Sequence, residues 1–141
     1  IKAALMINNF QTSNLIDQII KTGATKIGLV GVAFKPGSPV IVESATIKLI
    51  EKLIEIKGYQ IHVYDKIPET LSNLNEIYKE NIVYHQDHKN CLEAVECCVY
   101  MHFGDSYPEI DKLVRKDHII IDCWRIFDSL PCNHIKMGVS N

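Results

Sequence analysis

The sequence has no long hydrophobic run and no excess of positive charge. No apolar stretch approaches the roughly 20 residues that a membrane-spanning helix needs, and no segment has the layout of a signal peptide. The chain carries 15 Lys and Arg residues against 17 Asp and Glu residues, for a net charge of −2. We therefore expect neither nucleic acid nor a membrane among its partners.

A disulfide framework is also missing. The chain has five Cys residues, an odd number, and two of them, Cys97 and Cys98, are adjacent. Small secreted domains instead carry even numbers of spaced cysteines. Reduced thiols packed in a core are the simpler interpretation, and they predict a cytoplasmic protein.

The dinucleotide-binding fingerprint G-x-G-x-x-G is absent as well. Gly28 and Gly31 lie within the first predicted strand rather than in the turn after it. Asp65 stands where an acidic residue could meet a ribose, but it follows Gly28 by 37 residues, whereas about 20 are expected. NAD binding by this segment alone is thus disfavoured, and Asp65 is interpreted as an end-of-strand cap.

The hydrophobic pattern predicts strands that alternate with helices. With 47% hydrophobic residues, the chain can bury one core and form a single domain. The alternation predicts right-handed crossovers and a Rossmann-like, doubly wound α/β fold, whose five parallel strands have the order 3-2-1-4-5. The predicted strands are residues 26–34, 60–64, 82–84, 97–101 and 118–122, and no clear pattern follows residue 123.

A long helix is predicted to precede this domain. Residues 1–22 would span roughly 33 Å, which is long for a helix that serves only a small domain. We expect it to be the end of a connecting helix up to residue 22, with an α/β binding domain from 23 to 141. Because the chain opens without Met and already within this helix, we also expect a fragment of a longer protein.

The loop after the first strand is the most informative candidate site. Ligands of open α/β sheets bind beyond the carboxyl ends of the strands, where this sequence places Lys35, Gly37 and Ser38. Gly37 would let the backbone approach a ligand, Lys35 adds a positive charge, and a helix N-terminus with free N–H groups follows. These features fit a diphosphate site, and they equally fit a plain strand-to-helix turn.

The loop after the fifth strand contains two further candidates. Trp124 could stack on a nucleobase or cap the sheet edge, and Arg125 could bind phosphate bidentately or lie on the surface. A third pattern, His85-x-x-His88-x-x-Cys91, has a loose metal-ligand spacing but no fourth ligand, so we expect no metal.

Several blocks of the sequence resemble one known family. Residues 27–38 followed by Glu43-Ser44 resemble the signature G-L-A-F-K-P-G-T-D-D-x-R-E-S of UDP-glucose/GDP-mannose 6-dehydrogenases. The resemblance covers residues from about 7 to 127, and the A-F-K-P-G block is its most specific part. The other matching blocks are Asn8-x-x-Gln11, Val63-Tyr64-Asp65 and Ile120-Ile121-Asp122.

The resemblance implies the C-terminal, substrate-nucleotide-binding domain of an NAD-dependent enzyme that oxidises a UDP- or GDP-sugar to the uronic acid. In that family a separate N-terminal domain holds NAD, a Cys outside this region is the nucleophile, and a dimer-forming region precedes this domain. The resemblance therefore implies a homo-oligomer at full length. It also implies that no residue of this chain is catalytic and that the chain alone is inactive.

Some site residues of the family are matched in this sequence and others are replaced. Lys35 matches the family Lys that contacts the substrate. Val42 replaces the Arg that contacts the cofactor, and Trp124 stands where many UDP-glucose enzymes carry Arg, with Arg125 one step later. The Asp-x-x-Arg-Ile pattern there is closer to the GDP-mannose branch. Because this Arg is replaced by Val42, a rival hypothesis stays open, namely a non-catalytic nucleotide-binding or interaction module derived from the family.

Overall fold

A computed structural model describes residues 2–33, 39–41, 44–102 and 106–137, with side chains from Thr12 onward. The chain alternates between strands and helices, as the sequence predicts. The helices are α1 (Lys2–Thr22), α2 (Ala45–Ile56), α3 (Pro68–Tyr78), α4 (His88–Ala94) and α5 (Ile110–Leu113), with a 3₁₀ turn at Lys79–Asn81. The strands are β1 (Lys26–Val30), β2 (Gln60–Tyr64), β3 (Ile82–His85), β4 (Cys97–Tyr100), β5 (Ile119–Asp122) and β6 (Asn133–Lys136).

The strands form one parallel sheet in the order β3-β2-β1-β4-β5-β6. The predicted fold class and the order of the first five strands are confirmed. The prediction of an unpatterned tail after residue 123 was wrong, because β6 pairs in parallel with β5. Ile135 is the one apolar residue of β6, and an edge strand lacks the continuous apolar run by which a strand buried on both faces is identified.

Successive strand residues point to opposite faces of the sheet, and each face has its own core. On one face, Ile27 and Leu29 pack with residues of α1, α2 and α3, including Leu15. On the other face, Val30 packs with Leu92 of α4 and with residues of α5. Both faces of the sheet are thus covered, as a doubly wound fold requires. Among the helices that the structure describes, none is long and apolar enough to span a membrane.

Two element boundaries differ by several residues from the sequence-based prediction. The first strand ends at Val30 rather than at residue 34, because Gly31 has φ +92°, a left-handed conformation that ends the strand. The sequence pattern predicts a short helix at about residues 74–79, whereas α3 starts at Pro68. The apolar residues of α3 are few among polar ones, so their helical spacing is weak in the sequence. Leu71, Leu74 and Tyr78 are nevertheless buried.

Four of the five thiols lie in the two cores. Cys91, Cys97, Cys98 and Cys123 are buried, and Cys132 is partly buried. Burial raises the pKa of Cys91 and of Cys97 to about 12. Because the thiolate is the reactive form, these thiols act as core residues, in line with the sequence-based interpretation.

A pair of histidines bridges β2 and β3 at the edge of the sheet. His62 Nδ1 lies 2.8 Å from His85 Nε2, and His62 Nε2 lies 2.7 Å from Gln60 Oε1. Because the Gln60 oxygen only accepts, His62 donates from Nε2 and accepts from His85 at Nδ1. Burial, followed by the charges of His85 and Lys26, lowers the pKa of His62 from 6.5 to about 4.

This pair should make the folded chain sensitive to acid. The unfolded chain binds a proton on His62 near pH 6.5, whereas the folded chain binds it near pH 4. The stabilising contribution is therefore complete above pH 6.5 and declines as the pH falls towards 4. We expect a loss of about 1 kcal/mol across that window, a value reduced for solvent screening at the sheet edge.

Urea unfolding of the native chain and of His62→Gln between pH 7 and 4 measures this effect. We expect the variant to lose less stability than the native chain over the same window. Equal slopes in the two proteins would contradict the assignment. His134→Gln is a control for the general effect of losing a histidine, since His134 lies on the opposite edge strand.

Candidate functional site

The carboxyl ends of β1, β2, β4 and β5 meet at one edge of the sheet, with β1 and β4 as neighbours where the strand order reverses. This is the edge at which open α/β sheets bind ligands. Of the predicted site residues, Trp124 and Arg125 are described there. Lys35, Gly37 and Ser38 lie outside the described residues.

The three residues that follow β1 form a fully anchored segment, which we call the β1 stem (Gly31, Val32 and Ala33). Each of its six backbone polar groups has a hydrogen-bond partner. The N–H of Gly31 donates to Tyr64 O at 3.0 Å. The N–H groups of Val32 and Ala33 both donate to Asp65 Oδ2, at 2.8 and 3.3 Å. The carbonyl of Gly31 accepts from Thr46 Oγ1 at 2.7 Å, and that of Val32 accepts from Ser44 Oγ at 2.5 Å. The carbonyl of Ala33 accepts from His102 Nε2 at 2.9 Å.

Asp65 holds the stem from the end of β2. Its side chain is buried, and besides the two stem N–H groups it accepts a hydrogen bond from Ile67 N at 2.9 Å through Oδ1. Both carboxylate oxygens are therefore used within the chain. The interpretation of Asp65 as an end-of-strand cap is confirmed, and a ribose hydroxyl would have to compete with three backbone donors.

Ser44 and Thr46 hold the stem from the start of α2. Ser44 caps the helix, accepting at Oγ from Thr46 N (3.0 Å) and Ile47 N (3.3 Å) while donating to the stem. The expectation of free N–H groups at this helix N-terminus was wrong for these two amides. A serine one residue before a helix satisfies them internally, so an anion would have to be held mainly by side chains.

Trp124 is attached to the neighbouring strand. Its indole Nε1–H donates to Met101 O, just beyond β4, at 3.0 Å. The ring packs partly on the core and stays partly exposed. The hydrogen bond fixes the ring orientation at the binding edge, which is compatible both with stacking on a base and with covering the sheet edge.

Arg125 extends towards the other neighbour of β5. It is exposed, has φ +54°, and donates from Nε to Met137 O, beyond β6, at 3.2 Å. Trp124 and Arg125 are thus consecutive in sequence but are held by strands on opposite sides of β5. The loop that carries both is fixed by Asp122, a fully buried residue whose carboxylate accepts from Ile126 N, Phe127 N and His134 Nε2.

A second polar cluster lies beside this edge, between α4 and the segment before α5. His88 is buried, with Nδ1 at 2.7 Å from Glu109 Oε2 and Nε2 at 2.6 Å from Tyr100 Oη. Burial lowers the pKa of His88, although the hydrogen bond to Glu109 opposes that shift. Since both ring nitrogens are engaged within the chain, His88 is a structural residue in this arrangement.

The loose metal pattern of the sequence does not form a site. His85 pairs with His62, His88 pairs with Glu109 and Tyr100, and Cys91 is buried in the core. The described ranges contain no group of three potential ligands close enough to hold a metal ion. A shallow cleft of about 230 Å³ lies nearby, with Tyr107 and Phe127 among its lining residues, and neither Trp124 nor Arg125 lines it.

Sequence reasoning missed most of the residues that organise this edge. Ser44 has a local signal, because serine before an amphipathic helix is a preferred cap. His102 has none, since its partner Ala33 lies 69 residues earlier. The side chains that hold the β1 stem come from three separate segments of the chain, and only the fold brings them together.

Comparisons with known proteins point to one family. Residues 28–129 match the profile of the UDP-glucose/GDP-mannose dehydrogenase family, UDP binding domain. The chain is 32% identical over 80 residues to a GDP-mannose 6-dehydrogenase of Pseudomonas aeruginosa, covering 55% of this chain and 18% of that protein. It is 30% identical over 123 residues to a GDP-mannose 6-dehydrogenase of Azotobacter vinelandii, covering 82% of this chain and 27% of that protein.

A solved structure supports the fold independently. The chain superimposes with a TM-score of 0.76, at 20% identity, on a UDP-glucose dehydrogenase from Pyrobaculum islandicum. The match covers 99% of this chain and 32% of that one. The chain thus spans about a third or less of each of these three proteins.

Proposed function

This chain belongs to the UDP-glucose/GDP-mannose dehydrogenase family, and on that premise we propose that it holds the nucleotide of a UDP- or GDP-sugar within a longer dehydrogenase. The longer protein would oxidise the sugar to its uronic acid with NAD, as a cytoplasmic homo-oligomer. The relatives that motivate this proposal are a UDP-glucose dehydrogenase and two GDP-mannose 6-dehydrogenases.

The observation that carries the proposal is the anchored β1 stem at the reversal of strand order. All its backbone polar groups have partners within the chain, and the sequence continues to Lys35, Gly37 and Ser38. A segment that is ordered before binding loses little entropy when a ligand arrives. Lys35 would supply positive charge to the phosphates, Gly37 close backbone approach, and Ser38 a hydroxyl donor.

The loop after β5 would complete the site. The Trp124 indole is already oriented by its bond to Met101 O, so it could stack on the base without losing further side-chain freedom. Arg125 is exposed and could reach phosphate oxygens. The division of the chain into a connecting helix up to residue 22 and a binding domain from 23 belongs to the same proposal.

The described residues do not fit a dinucleotide cofactor at the end of β1. The Asp65 oxygens accept from three backbone groups, the first amides of α2 are capped by Ser44, and the His102 ring lies against Gly31. No step of the reaction is therefore assigned to NAD on this chain. The cofactor would be held by another part of the longer protein.

Calorimetric titration of the full-length protein with UDP-glucose, GDP-mannose and NAD tests the proposal. We expect Lys35→Ala to weaken binding of one nucleotide sugar by about tenfold or more, as expected for losing a charged contact, and to leave NAD binding unchanged. The matched control is Lys116→Ala. Lys116 is an exposed lysine that precedes β5, so it lies at the amino ends of the strands, away from the candidate site.

Binding tests the nucleotide-sugar role, and an assay of NAD-dependent oxidation of the bound sugar by the full-length protein separates a dehydrogenase from the non-catalytic rival. Selective binding of one nucleotide sugar that is lost in Lys35→Ala but retained in Lys116→Ala supports the substrate-domain proposal and identifies the base. Failure of the full-length protein to bind any nucleotide sugar would overturn it and favour the rival interaction module. Trp124→Leu adds a check on stacking, since it should weaken the same ligand selectively.

A further inference from the structure

The loop that carries Trp124 and Arg125 is held by hydrogen bonds at both of its ends. At its start, the backbone N–H of Cys123 donates to the last carbonyl of β4 at 3.3 Å. At its end, the Asp122 carboxylate accepts from the backbone N–H groups of residues 126 and 127, at 2.8 and 3.0 Å. The backbone of the two candidate residues therefore runs between two fixed points, both of which the structure describes.

His134 on the edge strand β6 bonds the same carboxylate. Its Nε2 lies 3.0 Å from Asp122 Oδ2, and Asp122 is fully buried. Because a carboxylate only accepts, Nε2 carries the proton and donates. A buried carboxylate is costly unless its oxygens have donors, so the bond from His134 stabilises Asp122 in the orientation that holds residues 126 and 127.

Arg125 needs this support because its backbone is in a left-handed conformation. Its φ is +54°, a region that residues other than glycine seldom adopt and keep only where the surrounding structure determines it. The segment that contains β6 supplies a second contact, since Arg125 Nε donates to Met137 O at 3.2 Å. The N–H of Met137 in turn donates to Asp122 O at 3.0 Å.

We propose that His134 is a positioning residue for nucleotide-sugar binding, which holds the loop after β5 in the conformation that presents Arg125. The inference rests on the proposed function, in which Arg125 reaches phosphate oxygens. A loop that is held before the ligand arrives loses less conformational entropy on binding. The His134 side chain is 8% exposed and is bonded to Asp122, so it acts through that carboxylate and not by touching the ligand.

Two substitutions separate the hydrogen bond of His134 from the bulk of its ring. His134→Gln can present an amide N–H to Asp122, whereas His134→Phe keeps an aromatic ring but leaves Asp122 Oδ2 without this donor. We expect His134→Phe to weaken binding of the nucleotide sugar about fivefold, the scale of a buried hydrogen bond left unmade. His134→Gln should stay within about twofold of the native protein because it retains a donor.

Lys136→Met is the matched control on the same strand. Lys136 is exposed, and its Nζ donates to Asp128 O at 2.6 Å. It therefore contacts the loop beyond the two N–H groups that Asp122 holds. We expect Lys136→Met to leave nucleotide-sugar binding unchanged, because the bonds that fix Arg125 remain.

Calorimetric titration of the full-length protein with UDP-glucose, GDP-mannose and NAD measures these effects. NAD affinity should be unchanged in every variant. The decisive protein is the double variant Arg125→Ala with His134→Phe. If His134 acts through Arg125, the double variant binds no more weakly than Arg125→Ala alone, which a double-mutant cycle reveals as strong coupling.

Trp124 reports on the same loop without any ligand. The difference in fluorescence between each protein and its Trp124→Phe counterpart isolates the emission of Trp124 from that of any other tryptophan in the longer chain. In His134→Phe, we expect acrylamide to quench this emission more than in the native protein, because the loop is less firmly held. In His134→Gln and in Lys136→Met, quenching should match the native value.

Several results would overturn the inference. Additive losses in the double variant would mean that His134 does not act through Arg125. Equal losses in His134→Gln and His134→Phe, or a parallel loss of NAD binding, would indicate a general structural role. If His134→Phe does not fold in urea-unfolding controls, His134→Ala removes the same donor and takes its place.

Failure of the inference can be distinguished from failure of the proposed function. If the full-length protein binds no nucleotide sugar, both fail together. If Lys35→Ala weakens binding while His134→Phe leaves both the affinity and the Trp124 emission at their native values, only the role of His134 is wrong.

Discussion

Gly31→Ala should destabilise the folded chain by about 3 kcal/mol, through two additive causes. An alanine at φ +92° is in a region that L-residues rarely adopt, which costs about 1–2 kcal/mol. Its Cβ would also lie 2.7 Å from Cγ and 2.9 Å from Nδ1 of His102. His102 cannot retreat without giving up Ala33 O, so we expect overpacking to add about 1–3 kcal/mol.

Gly58→Ala provides a matched control for this prediction. Gly58 has φ +90°, and an added Cβ there would meet nothing within 4 Å. The two substitutions share the backbone strain and the effect of alanine on the unfolded chain, so their difference isolates the contact with His102. Urea unfolding of both variants measures it. Similar losses in the two would show that the His102 ring yields easily and does not hold the stem rigidly.

The sheet could be predicted from the sequence because its central strands are buried on both faces. All four residues of β4, Cys97–Tyr100, are buried, as are the last four of β1. Such strands appear in a sequence as continuous apolar runs, and the alternation with helices then restricts the topology to few possibilities. Strand order was therefore predictable without any information on individual contacts.

The edge strand β6 could not be predicted in the same way. The two end residues of β6 are exposed, its two central residues are partly buried, and its one apolar residue is Ile135. The pairing of β6 with β5 depends on backbone hydrogen bonds and on the Asp122–His134 contact across the two strands. Neither leaves a periodic hydrophobic signal, so the segment is indistinguishable from a loop in the sequence.

The convergence of the strand ends was predictable from the sequence, but the hydrogen bonds that organise them were not. The convergence follows from topology, whereas the choice of Lys35 as a site residue rests on family resemblance and stays a prediction. The side-chain partners of the β1 stem, by contrast, are residue 44 before α2, residue 46 in α2, residue 65 after β2 and residue 102 after β4. These are common polar residues without a spacing rule, and their shared task emerges only in three dimensions.

The same partners occupy groups that dinucleotide-binding sheets leave free for the ligand. In dinucleotide-binding folds, the turn after the first strand leaves backbone N–H groups and an acidic side chain free for the ligand. In this chain the corresponding groups bind one another, since Asp65 accepts from Val32 and Ala33 and Ser44 caps α2. The Rossmann-like sheet is present, while Asp65 and the first amides of α2 have hydrogen-bond partners within the chain.

Asp65→Ala should be the second substitution with a large cost, about 4 kcal/mol. The carboxylate is 5% exposed and accepts from Val32 N, Ala33 N and Ile67 N. Hydrogen bonds to a charged group contribute about 1.5–3 kcal/mol each, and a buried N–H left without a partner costs about 1–3 kcal/mol. The total is less than their sum because the segment can relax and admit water.

The control for Asp65→Ala is Asp87→Ala, which also removes a carboxylate bound to backbone N–H. Asp87 is exposed and accepts from one group, Lys89 N, at 3.1 Å as the cap of α4, so we expect a loss of about 1 kcal/mol. Asp65→Asn should fall between the two, since its amide retains one acceptor oxygen.

Urea unfolding of the three variants, together with NAD titration of the full-length protein, distinguishes the possible roles of Asp65. A small stability loss with weakened NAD binding would mean that Asp65 serves a ribose after all. A large loss with unchanged NAD binding is the expected result, because both oxygens are already used within the chain.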